Sequence, residues 1–113
     1  MIERYSFGSI TIRGKTYTSD VIVYPDHVKS GWWRKEGHSL CERDLEEVLK
    51  WRPNTIIIGT GAYGCMKVPE EVKNSLRLKG IKLIIRRTDD ACKIFNKLVK
   101  SNKKVVAALH LTC

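Results

Sequence analysis

Thr55-Ile56-Ile57-Ile58-Gly59-Thr60-Gly61-Ala62-Tyr63-Gly64 lies at the centre of this chain of 113 residues and decides its fold class. Three successive isoleucines show no polar alternation, so the stretch reads as a strand covered on both faces. Working outward, an amphipathic segment precedes it and another follows it. Before it, Ser39 and Glu42 match a capping box for a helix over 40–51, in which Leu45, Val48 and Leu49 face inward until Pro53 ends the run. After it, Pro69 suits a first helical position, Val72 and Leu76 lie four apart, and Gly80 is placed as the C-terminal cap.

The pattern continues to the end of the sequence. Lys82-Leu83-Ile84-Ile85-Arg86 is a further strand. Thr88 supplies a hydroxyl cap for a third helix, with Asp89 and Asp90 near its positive dipole end and Ala91, Ile94, Phe95 and Leu98 as its buried stripe. Val105 to Leu111 gives the last strand. At the start, Ile10 to Arg13 and Thr16 to Thr18 flank a tight turn at Gly14-Lys15, and Val21 to Tyr24 forms another β-branched strand closed by Pro25-Asp26. Buried strands alternating with amphipathic helices imply an α/β architecture, a sheet with helices packed on it. No internal repeat or linker divides the chain, so residues 1–113 are expected to form one domain.

Hydrophobic residues make up 42% and charged residues 29%, which excludes a disordered chain and calls for a packed core. The apolar run from Val105 to Leu109 is far short of the roughly 20 residues that span a bilayer, and Met1-Ile2-Glu3-Arg4-Tyr5 lacks the pattern of a signal peptide. The expectation is a cytoplasmic protein with no membrane association. Cys41, Cys65, Cys92 and Cys113 are widely spaced without a C-x-x-C pair, so free thiols are expected, with neither a metal nor a cofactor. The net charge of +9 falls wholly in residues 51–113, because residues 1–50 carry eight cations and eight carboxylates. Such asymmetry fits solvated helix faces, or a surface for phosphates, nucleic acid or an acidic partner.

Gly59-Thr60-Gly61-Ala62-Tyr63-Gly64 also has the G-x-G-x-x-G spacing of a dinucleotide loop, and Arg86 is placed to meet a ribose phosphate. In the genuine fingerprint, however, the helix starts inside the glycine run. Here Cys65 to Val68 intervene before Pro69, which moves the helix dipole away. The turn remains the best pocket candidate because α/β ligand sites gather at the carboxyl ends of strands, with Thr60 offering a hydroxyl and Lys67 a charge. Trp32, Trp33, Arg34 and His38 combine large aromatics with donors, suited to an interface or to clamping their loop on the core. His110 and Cys113 close the chain, three residues apart. No paired carboxylates, H-E-x-x-H or G-x-S-x-G occur, so hydrolase signatures are absent.

Taken together, Trp33-Arg34 with Gly37-His38, the turn from Ile57 to Gly61, Lys67-Val68-Pro69, Thr88 with Ala91, Phe95-Asn96 and the closing His110-Leu111-Thr112-Cys113 resemble a known family. It is the small domain family that includes the mitochondrial respiratory complex I assembly factor three and the adipogenesis-associated human protein, with many bacterial and archaeal relatives. The resemblance implies a three-layer domain, with a mixed central sheet, helices on it and an additional β layer from the N-terminal hairpin region. It implies no enzyme activity. Its pattern keeps the first two glycines and does not require Gly64, and Phe95 stands where tyrosine is more usual.

The expected function is therefore a binding or assembly module without catalysis. Its protein partner would be recognised through Gly59, Thr60, Gly61, Trp33, Arg34, His38, Lys67, Thr88, His110 and Cys113. A small-anion or nucleotide-binding enzyme at the glycine turn is the alternative, and nucleic-acid binding by the basic half is a second. Self-association is compatible with the sequence.

Overall fold

The computed structural model describes residues 1–102 and 104–113. A three-stranded antiparallel sheet is built from β1 (Ile2–Ser6), β2 (Ser9–Ile12) and β3 (Lys15–Tyr17). A five-stranded mixed sheet contains β4 (Val21–Val23), β5 (Val28–Ser30), β6 (Thr55–Gly59), β7 (Lys82–Arg86) and β8 (Val105–Leu109), in the order β5-β4-β8-β6-β7. Its central strands β6 and β8 run parallel, with Thr55 opposite Val105 and Gly59 opposite Leu109. The helices are α1 (Glu46–Lys50), α2 (Glu70–Leu78) and α3 (Thr88–Val99).

Alternation along the central strands splits the core between two faces. Ile57, Val105, Ala107 and Leu109 pack with Ala91 and Phe95 of α3 and with Ile2, Ile10 and Ile12 of the small sheet. Ile56, Ile58, Val106 and Ala108 pack with Val72 and Leu76 of α2 and with Val48, Leu45 and Trp32. This is the expected three-layer arrangement. Side chains such as Ile56, Ile57 and Ile58 are fully buried, each adding about 1.5–3 kcal/mol from apolar burial.

Several local expectations are corrected. The hairpin turn is Arg13-Gly14, both with positive φ, and not Gly14-Lys15; the Glu3 carboxylate holds it by accepting from the amides of both residues at 2.7 Å. The segment expected as one helix over 40–51 is a 3-10 turn over Glu42–Leu45 followed by the short α1. Ser39 does not cap it. The Asp44 carboxylate accepts from the Cys41 amide at 2.9 Å instead, while Ser39 is bridged to Lys67. Pro69 is the residue before α2 rather than its first. The last strand ends at Leu109, two residues early. Two short strands, β1 and β5, went unread because each is largely exposed.

Candidate functional site

The carboxyl end of β6 turns where close packing demands small residues. A side-chain carbon on Gly59 would sit 2.8 Å from Leu109 and 2.9 Å from Thr88 Oγ1, and one on Gly61 would sit 2.2 Å from the Cys113 backbone. Gly61 also has φ +107°, in the region that favours glycine. The amides of the turn are directed at the protein itself. Gly61 N donates to Thr88 Oγ1 at 2.9 Å, Ala62 N to the Thr112 carbonyl at 2.6 Å, and Tyr63 N and Cys65 N to the Cys113 carbonyl at 3.2 and 3.0 Å. Thr60 donates through both its amide and its hydroxyl to the Arg86 carbonyl.

Thr88 was expected to cap α3. Arg87 occupies the cap position, and Thr88 is the first helical residue, fully buried. Its hydroxyl donates to the His110 carbonyl at 2.5 Å while accepting from Gly61, so one oxygen ties the glycine turn to the end of β8.

Beside this tie lies a largely buried charged cluster. The Asp20 carboxylate accepts from the Leu111 amide through Oδ1 and from His110 Nδ1 through Oδ2, both at 2.8 Å. Arg34 Nη1 stands 2.8 Å from the same Oδ2, an ion-pair contact without hydrogen-bond geometry, so Nη1 is left without a formal acceptor. His110 Nδ1 meets opposite demands, since the Asp20 carboxylate only accepts while Arg34 Nη2, which only donates, stands 3.0 Å from the same nitrogen; Nε2 is the buried His110 atom without a partner among the described residues. Arg34 also donates to the Gly37 carbonyl and lies 4.7 Å from the Trp32 ring centre. Burial would raise the pKa of Asp20. The hydrogen bonds from His110 and Leu111 and the adjacent Arg34 guanidinium outweigh it and hold the group below the ordinary carboxylate value.

The candidate residues therefore divide. Gly59, Thr60, Gly61, Thr88, Arg34, His110 and the Cys113 backbone meet in one hydrogen-bonded cluster. The His38 ring stands edge-on to His110 with centres 5.8 Å apart, and the Lys67 amide donates to the His38 carbonyl while its side chain is exposed. Trp33 lies apart. It is 86% exposed, whereas the neighbouring Trp32 is buried and donates from Nε1 to the Asp44 carbonyl at 2.9 Å. Sequence reasoning missed Asp20, whose partners His110 and Leu111 lie about 90 positions away. The only local signal is a carboxylate placed directly before a wholly apolar strand.

Phe7 and Tyr63 are exposed aromatics whose rings stand 6.1 Å apart beside the closing segment. Among the described residues, no three His, Cys, Asp or Glu side chains are grouped to hold a metal ion, and no helix is long and apolar enough to cross a membrane.

A family model described as a protein of unknown function (DUF498/DUF598) matches residues 2–110. The chain belongs to that family. Among solved structures, a conserved hypothetical protein of Pyrococcus horikoshii OT3 is 27% identical, the match covers 100% of this chain and 99% of that one, and the two superpose with a TM-score of 0.85. An outer membrane protein from Bartonella henselae, 24% identical with 99% and 94% covered, shares the fold at a TM-score of 0.82. A "13 kDa major membrane protein" of Francisella tularensis subsp. holarctica (strain LVS) is 30% identical over 87 residues, 77% of this chain. The match spans 65% of the length of that relative.

Proposed function

We propose that this member of the DUF498/DUF598 family is a non-catalytic binding module, of assembly or accessory type, that recognises a protein partner through the Trp33 loop and the adjoining glycine turn. The observation that carries the reading is Trp33 itself. Its indole stands in solvent on a loop fixed by the buried Arg34–Asp20 contact and by Trp32. A large aromatic held in place before binding loses little freedom on docking, and such anchors dominate interface energetics. The glycine turn supports this over an anion site, because the amides that would grip a phosphate are directed at Thr88, Thr112 and Cys113. Resemblance to the complex I assembly factor and the adipogenesis-associated protein supports the accessory role. The free cysteines fit a reducing compartment, which in this reading is the cytoplasm.

The test places a photo-crosslinking amino acid at position 33 and, as a control, at the exposed position 100, in cells that make the protein natively. One reproducible adduct specific to position 33 is expected, with stoichiometric co-elution that Trp33→Ala abolishes. Equal adducts at both positions, or co-elution that survives Trp33→Ala, would overturn the reading.

A further inference from the structure

β7 is the outer strand at the end of the sheet opposite β5. Its parallel pairing directs the Lys82 amide to the Asn54 carbonyl and the Arg86 carbonyl to the Thr60 amide. Alternation along the strand therefore turns the amide groups of Leu83 and Ile85 away from β6 and out of the sheet. The Ile85 carbonyl receives the Arg86 guanidinium at 2.8 Å. The N–H groups of Leu83 and Ile85 and the Leu83 carbonyl face the open edge.

Beside that edge, α2 and β7 enclose a groove of about 490 Å³. Its floor is apolar, from Ile81, Leu83 and Ile85, and every charged residue lining it is a cation: Lys73 and Arg77 on the helix, Lys82 and Arg86 on the strand. Lys73 is shared with Glu70 at 3.3 Å on the exposed helix face. We propose that this groove takes an extended acidic segment of a partner protein, added as a further strand against β7.

Three features select that occupant. Outward amides offer main-chain pairing, and the apolar floor offers seats for alternate side chains, the two components of strand addition. On the opposite strand face, Lys82 and Arg86 lie where carboxylates of the same incoming strand would fall. A second copy is disfavoured because antiparallel pairing of two β7 strands sets Lys82 against Arg86 of the other copy, the device by which edge lysines prevent self-association. Nucleic acid is disfavoured because no aromatic ring lines the groove to stack a base. This surface lies at the opposite end of the sheet from the Trp33 loop and does not depend on it.

The experiment uses the full chain, isotopically labelled, with three probes: a ten-residue peptide alternating valine and glutamate, its lysine-for-glutamate counterpart, and a single-stranded DNA 12-mer. The glutamate peptide should bind with its largest amide shifts at Leu83 and Ile85, the lysine peptide should not bind, and Lys82→Glu with Arg86→Glu should weaken binding about tenfold or more. Trp33→Ala should leave the affinity unchanged, which separates failure here from failure of the Trp33 reading. The proposal is overturned by no binding of the glutamate peptide at millimolar concentration, by tighter DNA binding at the same amides, or by concentration-dependent shifts there without any probe.

Discussion

The carboxyl end of β6 and the outer edge of β7 lie on adjacent strands, yet they use their polar groups in opposite ways. At the end of β6, a run resembling an anion cradle spends its amides on Thr88, Thr112 and Cys113, and the charges beside it, Asp20 and Arg34, are paired in the interior. At β7, backbone groups face outward between four cations. Glycine spacing alone therefore does not identify a binding loop. What matters is whether other parts of the chain already meet its donors, and here the saturated region holds the fold together while the unsaturated one is available to a partner.

The largest expected effect tests the saturated region. Gly61→Ala adds a methyl where the Cys113 backbone stands 2.2 Å away and requires φ +107° of an L residue, so it should cost about 4 kcal/mol of stability in urea denaturation. Gly14→Ala is the matched control. Its φ of +79° carries backbone strain, but nothing lies within 4 Å of the added carbon, and the cost should be about 1 kcal/mol. Equal losses would mean that the closing segment does not pack in the turn, and the contrast with β7 would disappear.

Asp20 gives the next effect and a pH signature. Asp20→Asn leaves Arg34 as a buried charge without its counter-ion and should cost about 3 kcal/mol at pH 7. In the native protein the carboxyl is held below its ordinary value, by hydrogen bonds from His110 and Leu111 and by the adjacent Arg34 guanidinium, acting against burial. The unfolded chain therefore takes up the proton first as pH falls. The stabilisation is complete above the unfolded value of about 3.9 and is lost as pH drops through the lower folded value. The gap between native and variant protein should narrow across that acid window. A gap that stays constant to pH 2.5 would show that folding does not lower the Asp20 pKa.

These two regions also show what the sequence could reveal. β6, α2 and α3 were legible because each depends on a local period: the isoleucine run, the Val72 and Leu76 spacing, and the stripe from Ala91 to Leu98; the three-layer order was implied by the family resemblance and not by any period. The capping roles given to Ser39 and Thr88 failed for a physical reason. A hydroxyl can serve its own helix or a distant partner, and Thr88 serves Gly61 and His110, 27 and 22 positions away. Asp20 was illegible for the same reason. Most candidate site residues did gather at the end of β6, but burial of Trp32 and exposure of Trp33 depend on tertiary packing that adjacent identical letters do not encode. The basic groove was hidden differently. Its charges come from a helix pair four apart and a strand pair four apart, and only the placement of α2 beside β7 brings them together.

The smallest expected effect bears on that groove. If the charges at the edge are not needed for folding, Lys82→Glu and Arg86→Glu should each change stability by less than about 0.5 kcal/mol, as exposed substitutions usually do. The double variant lowers a net charge of +9 and so relieves part of the chain's self-repulsion, which should make it slightly more stable than the native protein at low salt. A loss above about 2 kcal/mol, in the range of a buried polar group deprived of its partner, would place Lys82 and Arg86 among the contacts that hold the fold. The edge would then resemble the end of β6, with its polar groups already engaged. A near-zero change, by contrast, would leave Lys82, Arg86 and an open strand edge with no structural use, the condition a partner-binding surface has to meet.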